Sequence, residues 1–288
     1  MTTHTFAHSI GKQAYTSRIA RAASGKSAMP VIFAIHGGTY DSVYFDVPGY
    51  SMMDRASAAG FDIVAIDRPG YGESTALPDA PDLIQKNAEA LNADLPGLLK
   101  ALDLAGRPVF VIGHSIGGAT ALTLVALASG WTPAGVAVSG VGAATPPDDA
   151  GNYAHLPQQY FVQLPTPMKD VVMFGPEGSY PAAMPGASHL ANRHVPRSEL
   201  TDITGGWQTR VASVAPAIRV PLHYRQGEHE KLWLNSAERI AAFGKLFVNS
   251  PRVDAAMIMT AGHCIDFHNA GAAFQQSQLD FAAATAGA

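Results

Sequence analysis

Residues 108–128, PVFVIGHSIGGATALTLVALA, change periodicity in the middle of the stretch. Pro108 to Ile112 is a β-branched and aromatic run, the composition of a strand buried on both faces of a parallel sheet. From Ala119 onward alanine and leucine dominate, as in a helix. Between them lie Gly113, His114, Ser115, Ile116, Gly117 and Gly118. A strand that turns straight into a helix forces the corner residue into strained backbone angles and throws its side chain outward. Its neighbours two positions away must then be tiny. Gly113 and Gly117 meet that demand, and Gly118 lets the helix lie close to the strand. The result is the G-x-S-x-G pattern of a nucleophile elbow. It presents Ser115 at the carboxyl end of a strand, where ligands meet open α/β sheets. The helix N-terminus lends partial positive charge to the serine oxygen and to any oxyanion formed there.

Working outward, five further apolar runs end in glycine-containing turns: 29–38 (MPVIFAIHGG), 61–74 (FDIVAIDRPGYGES), 134–142 (AGVAVSGVG), 220–228 (VPLHYRQGE) and 253–263 (VDAAMIMTAGH). Two N-terminal stretches, 3–10 and 13–21, alternate polar and apolar residues as half-exposed strands do. Helical spacing runs from Asp82 to Leu104 through Ile84, Leu91, Leu95, Leu98 and Leu102. Further helices are predicted over 236–247 and 270–284. Strands alternating with helices predict an α/β fold, a mostly parallel eight-stranded sheet flanked by helices. From about Ala144 to Ala217 the rhythm breaks. This segment is rich in Pro, Gly and Met, shows no clear strand–helix alternation, and carries Tyr160, Phe161 and Trp207. Long irregular segments inside compact domains are commonly lids or binding insertions. The expected organisation is a core of residues 1–143 and 218–288 with a cap at 144–217.

Composition narrows the function. Of 288 residues, 47% are hydrophobic and 15% charged, enough for a large core. The net charge is −4 and no basic stripe occurs, which argues against nucleic acid as a partner. No apolar run is long enough to span a membrane. The N-terminus lacks the apolar core of a signal peptide. The single cysteine, Cys264, reads as a small buried residue and excludes an internal disulfide. A cytoplasmic location is expected. The sequence does not specify an oligomeric state. No G-x-G-x-x-G or Walker pattern follows a strand, so the glycines at Ser115 do not read as a nucleotide-binding turn. No His/Cys/Asp cluster has metal-ligand spacing, and no metal or organic cofactor is expected.

A nucleophilic serine needs a base, an orienting acid and oxyanion donors. The glycines of IHGGT (35–39) let backbone N–H groups point into a site. Gly38 N–H and Ile116 N–H are the expected donors. His263, just past the last strand, is the expected base. His36 and His114 lie inside turns, and His268 is expected to start the last helix. In the turn 227–230, GEHE, Glu230 is favoured as the acid because it lies on the far side of the turn, with Glu228 as its rival and Asp148 and Asp149 as outside options.

These motifs, taken in order as HGGT, DRPGYGES, GHSIGG, GEHE and GHCIDFH, resemble the α/β-hydrolase superfamily of serine esterases and related hydrolases. The resemblance covers about Pro30 to Phe281. It implies the triad order serine, acid, histidine. It also implies that Asp67 and Arg68 are structural and that the insertion corresponds to the family's variable cap. Glutamate stands where most members carry aspartate, which leaves the acid open. Serine rather than aspartate at the elbow points to acyl transfer. The expected function is hydrolysis of a carboxylic ester of a small, largely apolar substrate. Amide, thioester or carbon–carbon bond cleavage on the same residues is the alternative, as is a non-catalytic ligand receptor. Thr39, Tyr160, Phe161 and Trp207 are the expected substrate-binding side chains, unless the aromatics merely form the cap's own core.

Overall fold

A computed structural model describes residues 3–25, 28–148, 153 and 155–286. The apolar runs form strands because β-branched side chains pack well on pleated surfaces covered from both sides. In chain order these are β1 (His4–Ile10), β2 (Gln13–Ala20), β3 (Val31–Ile35), β4 (Ile63–Ile66), β5 (Val109–His114) and β6 (Pro133–Ser139). A short pair follows, β7 (Phe161–Val162) and β8 (Val195–Pro196), and then β9 (Leu222–Gly227) and β10 (Val253–Ile258). Eight of them make one sheet in the order β1-β2-β4-β3-β5-β6-β9-β10. The pairs β1/β2 and β2/β4 are antiparallel and the rest are parallel. Strands β3, β4 and β5 are buried throughout, whereas β1, at an edge, is mostly exposed.

The helices that cover the sheet are α1 (Met52–Ala58), α2 (Leu83–Ala101), α3 (Ile116–Ala126), α8 (Ala237–Gly244) and α9 (Gly271–Ala283), with α4 to α7 lying between β7 and β9. Ser51 and Ser236 cap α1 and α8 by accepting main-chain N–H bonds from Asp54 and Arg239. On α2, Ile84, Leu91, Leu95 and Leu98 are buried on one face, as the spacing predicts.

The segment between β6 and β9 is more ordered than its composition suggests. Among its described residues are the β7–β8 pair and the α-helices α4 (Thr166–Met173), α5 (Met184–Ser188), α6 (Arg197–Ile203) and α7 (Gly206–Ala217). Its prolines read as breakers, but Pro167 and Pro185 stand in first turns, where a missing N–H costs no intrahelical bond. Helices α6 and α7 enter the main core: Leu200, Ile203, Trp207, Val211 and Ala215 share one apolar cluster with Val136, Val138 and Leu122. The turn after β4 is tied to α6. Arg68 and Glu199, both fully buried, pair through two hydrogen bonds, and Tyr71 donates 2.6 Å to the same carboxylate. Arg68 is thus structural, as is Asp67, which accepts from Ser42 N at 2.7 Å and from the Thr16 hydroxyl.

Candidate active site

The link between β5 and α3 is as tight as the sequence requires. Ser115 has φ 56° and ψ −126°, a conformation that L residues rarely adopt. A Cβ on Gly113 would sit 2.5 Å from Gly117 O, and one on Gly117 would sit 2.2 Å from His36 O. Any side chain at either position would push the helix off the sheet or the serine out of the corner. Ser115 N donates to Ser139 O at 2.8 Å, fastening the corner to the neighbouring strand end. Ile116 opens α3, so its N–H has no intrahelical acceptor.

The loop after β3 lies against this corner. A Cβ on Gly37 would stand 3.0 Å from Ser115 Cβ, and one on Gly38 only 2.8 Å from Ile116 Cδ1. Arg68 holds this loop from behind, donating from Nε to His36 O at 3.0 Å and from its second amino group to Gly37 O at 3.3 Å. Gly38, Thr39, Ser115 and Ile116 share one open cleft of about 550 Å³.

His263 is fully buried beyond β10. Its Nδ1 lies 2.8 and 3.0 Å from the two carboxylate oxygens of Glu230, whose side chain is equally buried. Glu230 also accepts from Leu232 N at 2.8 Å. The two loops meet because Gly227 is bare: a Cβ there would stand 2.3 Å from Gly262 O, while a Cβ on Gly262 would stand 2.5 Å from Gly175 N of the insertion. The His263 ring packs against His114, the residue before Ser115, with centroids 4.8 Å apart. Its Nε2 is buried and hydrogen-bonds to nothing among the described residues.

The rival residues have other tasks. Glu228 is partly exposed and accepts from Thr260 N at 2.7 Å, closing the adjacent turn. Asp148 is exposed, and Asp149 lies outside the described residues. His36 accepts the Arg68 N–H at 3.1 Å, and His114 lies 3.3 Å from the Ser139 hydroxyl. Burial holds both imidazoles well below the usual histidine range. His268 precedes α9 rather than starting it. Its Nε2 accepts 2.9 Å bonds from Gly175 N and Gly262 N, stapling the insertion to the His263 loop. Among the described residues no group of three or more His, Cys, Asp or Glu is placed to hold a metal ion. No described helix is long and apolar enough to cross a membrane.

Of the four expected substrate contacts, only Thr39 lines the cleft. Trp207 is fully buried and donates its indole N–H to Gly142 O at 2.9 Å, so it belongs to the core. Tyr160 donates to Leu77 O at 2.8 Å, and Phe161 lies edge-on against Tyr160, partly exposed. Aromatic size drew attention to these three, but β7 and α7 turn them away from the cleft. The insertion lines it instead with Leu164, Val172, Met173, Leu200, Ile203 and Thr204. Leu232 and Trp233, just after Glu230, complete the wall, and Trp233 donates to Gly140 O at 2.8 Å. Their position two and three residues past Glu230 is the available signal.

The alpha/beta hydrolase family model matches residues 31–275, and the chain belongs to that family. It is 33% identical over 100 residues to the sn-1-specific diacylglycerol lipase ABHD11 of Mus musculus, covering 35% of this chain and 29% of that protein. It is 35% identical over 95 residues to protein phosphatase methylesterase 1 of Mus musculus, covering 32% of this chain and 22% of the relative. The matches thus span under a third of these relatives' own lengths. The solved structure of a thermophilic esterase from Thermogutta terrifontis superimposes with a TM-score of 0.66 at 16% identity over 99% of both chains, a likeness of fold.

Proposed function

We propose that this member of the alpha/beta hydrolase family, a hydrolase, cleaves carboxylic esters of small, largely apolar substrates through an acyl-enzyme on Ser115. The observation that carries the reading is the state of His263. One ring nitrogen is held by Glu230, and the other is buried without a partner beside the serine corner. A buried, unpaired ring nitrogen costs roughly 1–3 kcal/mol; His223 Nδ1 is also buried without a partner, and His263 differs from it in the carboxylate on its other nitrogen and in its packing against His114.

In this reading the Ser115 hydroxyl oxygen attacks the ester carbonyl carbon and gives its proton to His263 Nε2. Glu230 accepts a hydrogen bond from Nδ1–H, fixes the tautomer that leaves Nε2 basic, and stabilises the imidazolium. Gly38 N–H and Ile116 N–H receive the negative charge that develops on the carbonyl oxygen. Collapse expels the alcohol, which takes the proton from Nε2. Water then gives a proton to His263 Nε2 as its oxygen attacks the acyl carbon, and collapse breaks the bond to Ser115 Oγ, which takes that proton back as the carboxylic acid leaves. Bell-shaped or single-limb pH profiles would report the groups in this cycle. The cleft walls, with Ile116, Leu164, Val172, Leu200 and Ile203, favour an apolar acyl or alcohol group.

The test is hydrolysis of 4-nitrophenyl esters of increasing acyl length, with mass spectrometry of protein treated with a fluorophosphonate. The expected result is turnover and a single adduct on Ser115. No turnover of any ester, or an adduct elsewhere, overturns the reading.

A further inference from the structure

Thr39 stands next to the oxyanion glycine Gly38 and has φ 64°. A positive φ is a genuine outlier for a β-branched residue, so something outside the loop must hold it there. The insertion supplies the hold. Arg193 N donates to Thr39 O at 2.9 Å and Asp41 N to Ala191 O at 3.1 Å, so 39–41 runs as a short antiparallel bridge beside 191–193. Lys169, on α4, reaches the same carbonyl from the other side, with Nζ 3.2 Å from Thr39 O.

Lys169 is 3% exposed. Its ammonium also donates to Asn192 Oδ1 and lies 3.3 Å from the centroid of the Tyr40 ring. A lysine has three N–H donors, and here each has an acceptor or a π-face. None is left over for a ligand, so the group is a fastening rather than a binding site. Its acceptors are the strained residue and the strand bridged to it.

Resting on the esterase reading, we propose that Lys169 is a positioning residue: it clamps Thr39 in its left-handed conformation and thereby keeps Gly38 N–H aimed at the oxyanion. The insertion would then serve catalysis through the backbone of the loop after β3, besides lining the cleft. Positioning of this kind acts on the transition state and leaves ground-state binding nearly alone, so kcat and not KM should carry the effect.

The test uses Lys169→Met, and Lys169→Gln, which keeps a buried polar group one atom too short to reach Thr39 O. Both are measured on a 4-nitrophenyl ester and against a boronic acid that forms a tetrahedral adduct on serine, with the fold checked by circular dichroism. The expected loss in kcat is about tenfold, smaller than deletion of an oxyanion donor, with KM within about threefold and boronate affinity falling in step with kcat. The same substitutions are repeated in a Thr39→Gly background. Glycine occupies this φ without strain, so the loss caused by Lys169→Met should shrink to under about threefold. Unchanged kcat in a folded Lys169 variant, a rise in KM alone, or an equal loss in the Thr39→Gly background overturns the clamp while the esterase reading stands. A wild-type protein without ester hydrolysis overturns both.

Discussion

The ends of the core strands and the insertion above them share one cleft but contribute different things to it. The core places Ser115, Glu230 and His263 on short loops whose glycines leave no freedom: bare Cα atoms at 113, 117, 227 and 262 lie where any Cβ would overlap main chain. The insertion places apolar side chains, and four of them, Val172, Met173, Leu200 and Ile203, line the same space from two different helices. Chemistry is assigned to loops fixed by main-chain contacts, and fit is assigned to side chains fixed by packing. Substitutions should therefore separate, with loss of rate on one side and changes of preference or stability on the other, Lys169 being the residue of the insertion expected to act on rate.

The largest effect is expected at Ser115. Ser115→Ala should lower kcat by on the order of 10⁴- to 10⁶-fold with an unchanged melting temperature. Residual turnover near wild type would remove the serine from the mechanism and dissolve the division between the two regions. Next, Glu230→Gln should cost about 10⁴-fold, because the amide no longer selects the productive tautomer, while Glu228→Gln should be close to silent. If the two results were reversed, Glu228, on the near side of the turn, would be the acid.

The insertion is expected to answer differently. Trp207→Ala should destabilise by about 3–5 kcal/mol in urea unfolding, through the cavity it leaves and the orphaned Gly142 carbonyl, without altering the order of preferred esters. Ile203→Ala, in the cleft wall, should shift kcat/KM toward longer acyl chains by roughly tenfold, the scale set by one or two methylenes. Phe161→Ala, away from the cleft, should leave the order untouched. A changed order in Trp207→Ala or Phe161→Ala would mean that the insertion reaches the substrate by another face.

The smallest effect belongs to the core alone. Burial lowers the imidazoles of His36, His114, His223 and His268, with His223 down to about 3. Each is neutral when folded, whereas the unfolded chain takes up protons below the ordinary histidine value near 6.5. Their contribution to stability is complete above that pH and is lost as pH falls towards the folded values. Asp41, raised to about 6 by burial and by Asp67, opposes this, as do Asp202 and Asp266, whose carboxyls burial also raises. The urea midpoint should fall between pH 7.5 and pH 5. A midpoint that rose would show that buried carboxylates dominate the linkage.

How much of this was legible in the sequence follows from the range of each interaction. The elbow was readable because its constraint is local: a strand, a helix and glycines two residues to either side admit one turn. The sheet and its parallel order were readable from periodicity, and His263 from its place after the last strand. Glu230 is favoured over Glu228 from its place on the turn; in the structure Glu228 is occupied by Thr260 N and Glu230 by His263. The cleft wall was not readable. Trp207, Tyr160 and Phe161 are large enough to recognise a substrate, but size does not say which way a helix faces, and α7 spends Trp207 on the core. The helices of the insertion were hidden by prolines whose first-turn placement makes them harmless. Nor could the sequence reveal that Lys169 reaches the carbonyl of Thr39, 130 residues away. The sequence by itself determined the elements and the corner that holds the serine, because backbone sterics act between neighbours. Only the tertiary structure decided what faces the cleft and what holds the loop after β3, because those contacts join residues that the chain keeps far apart.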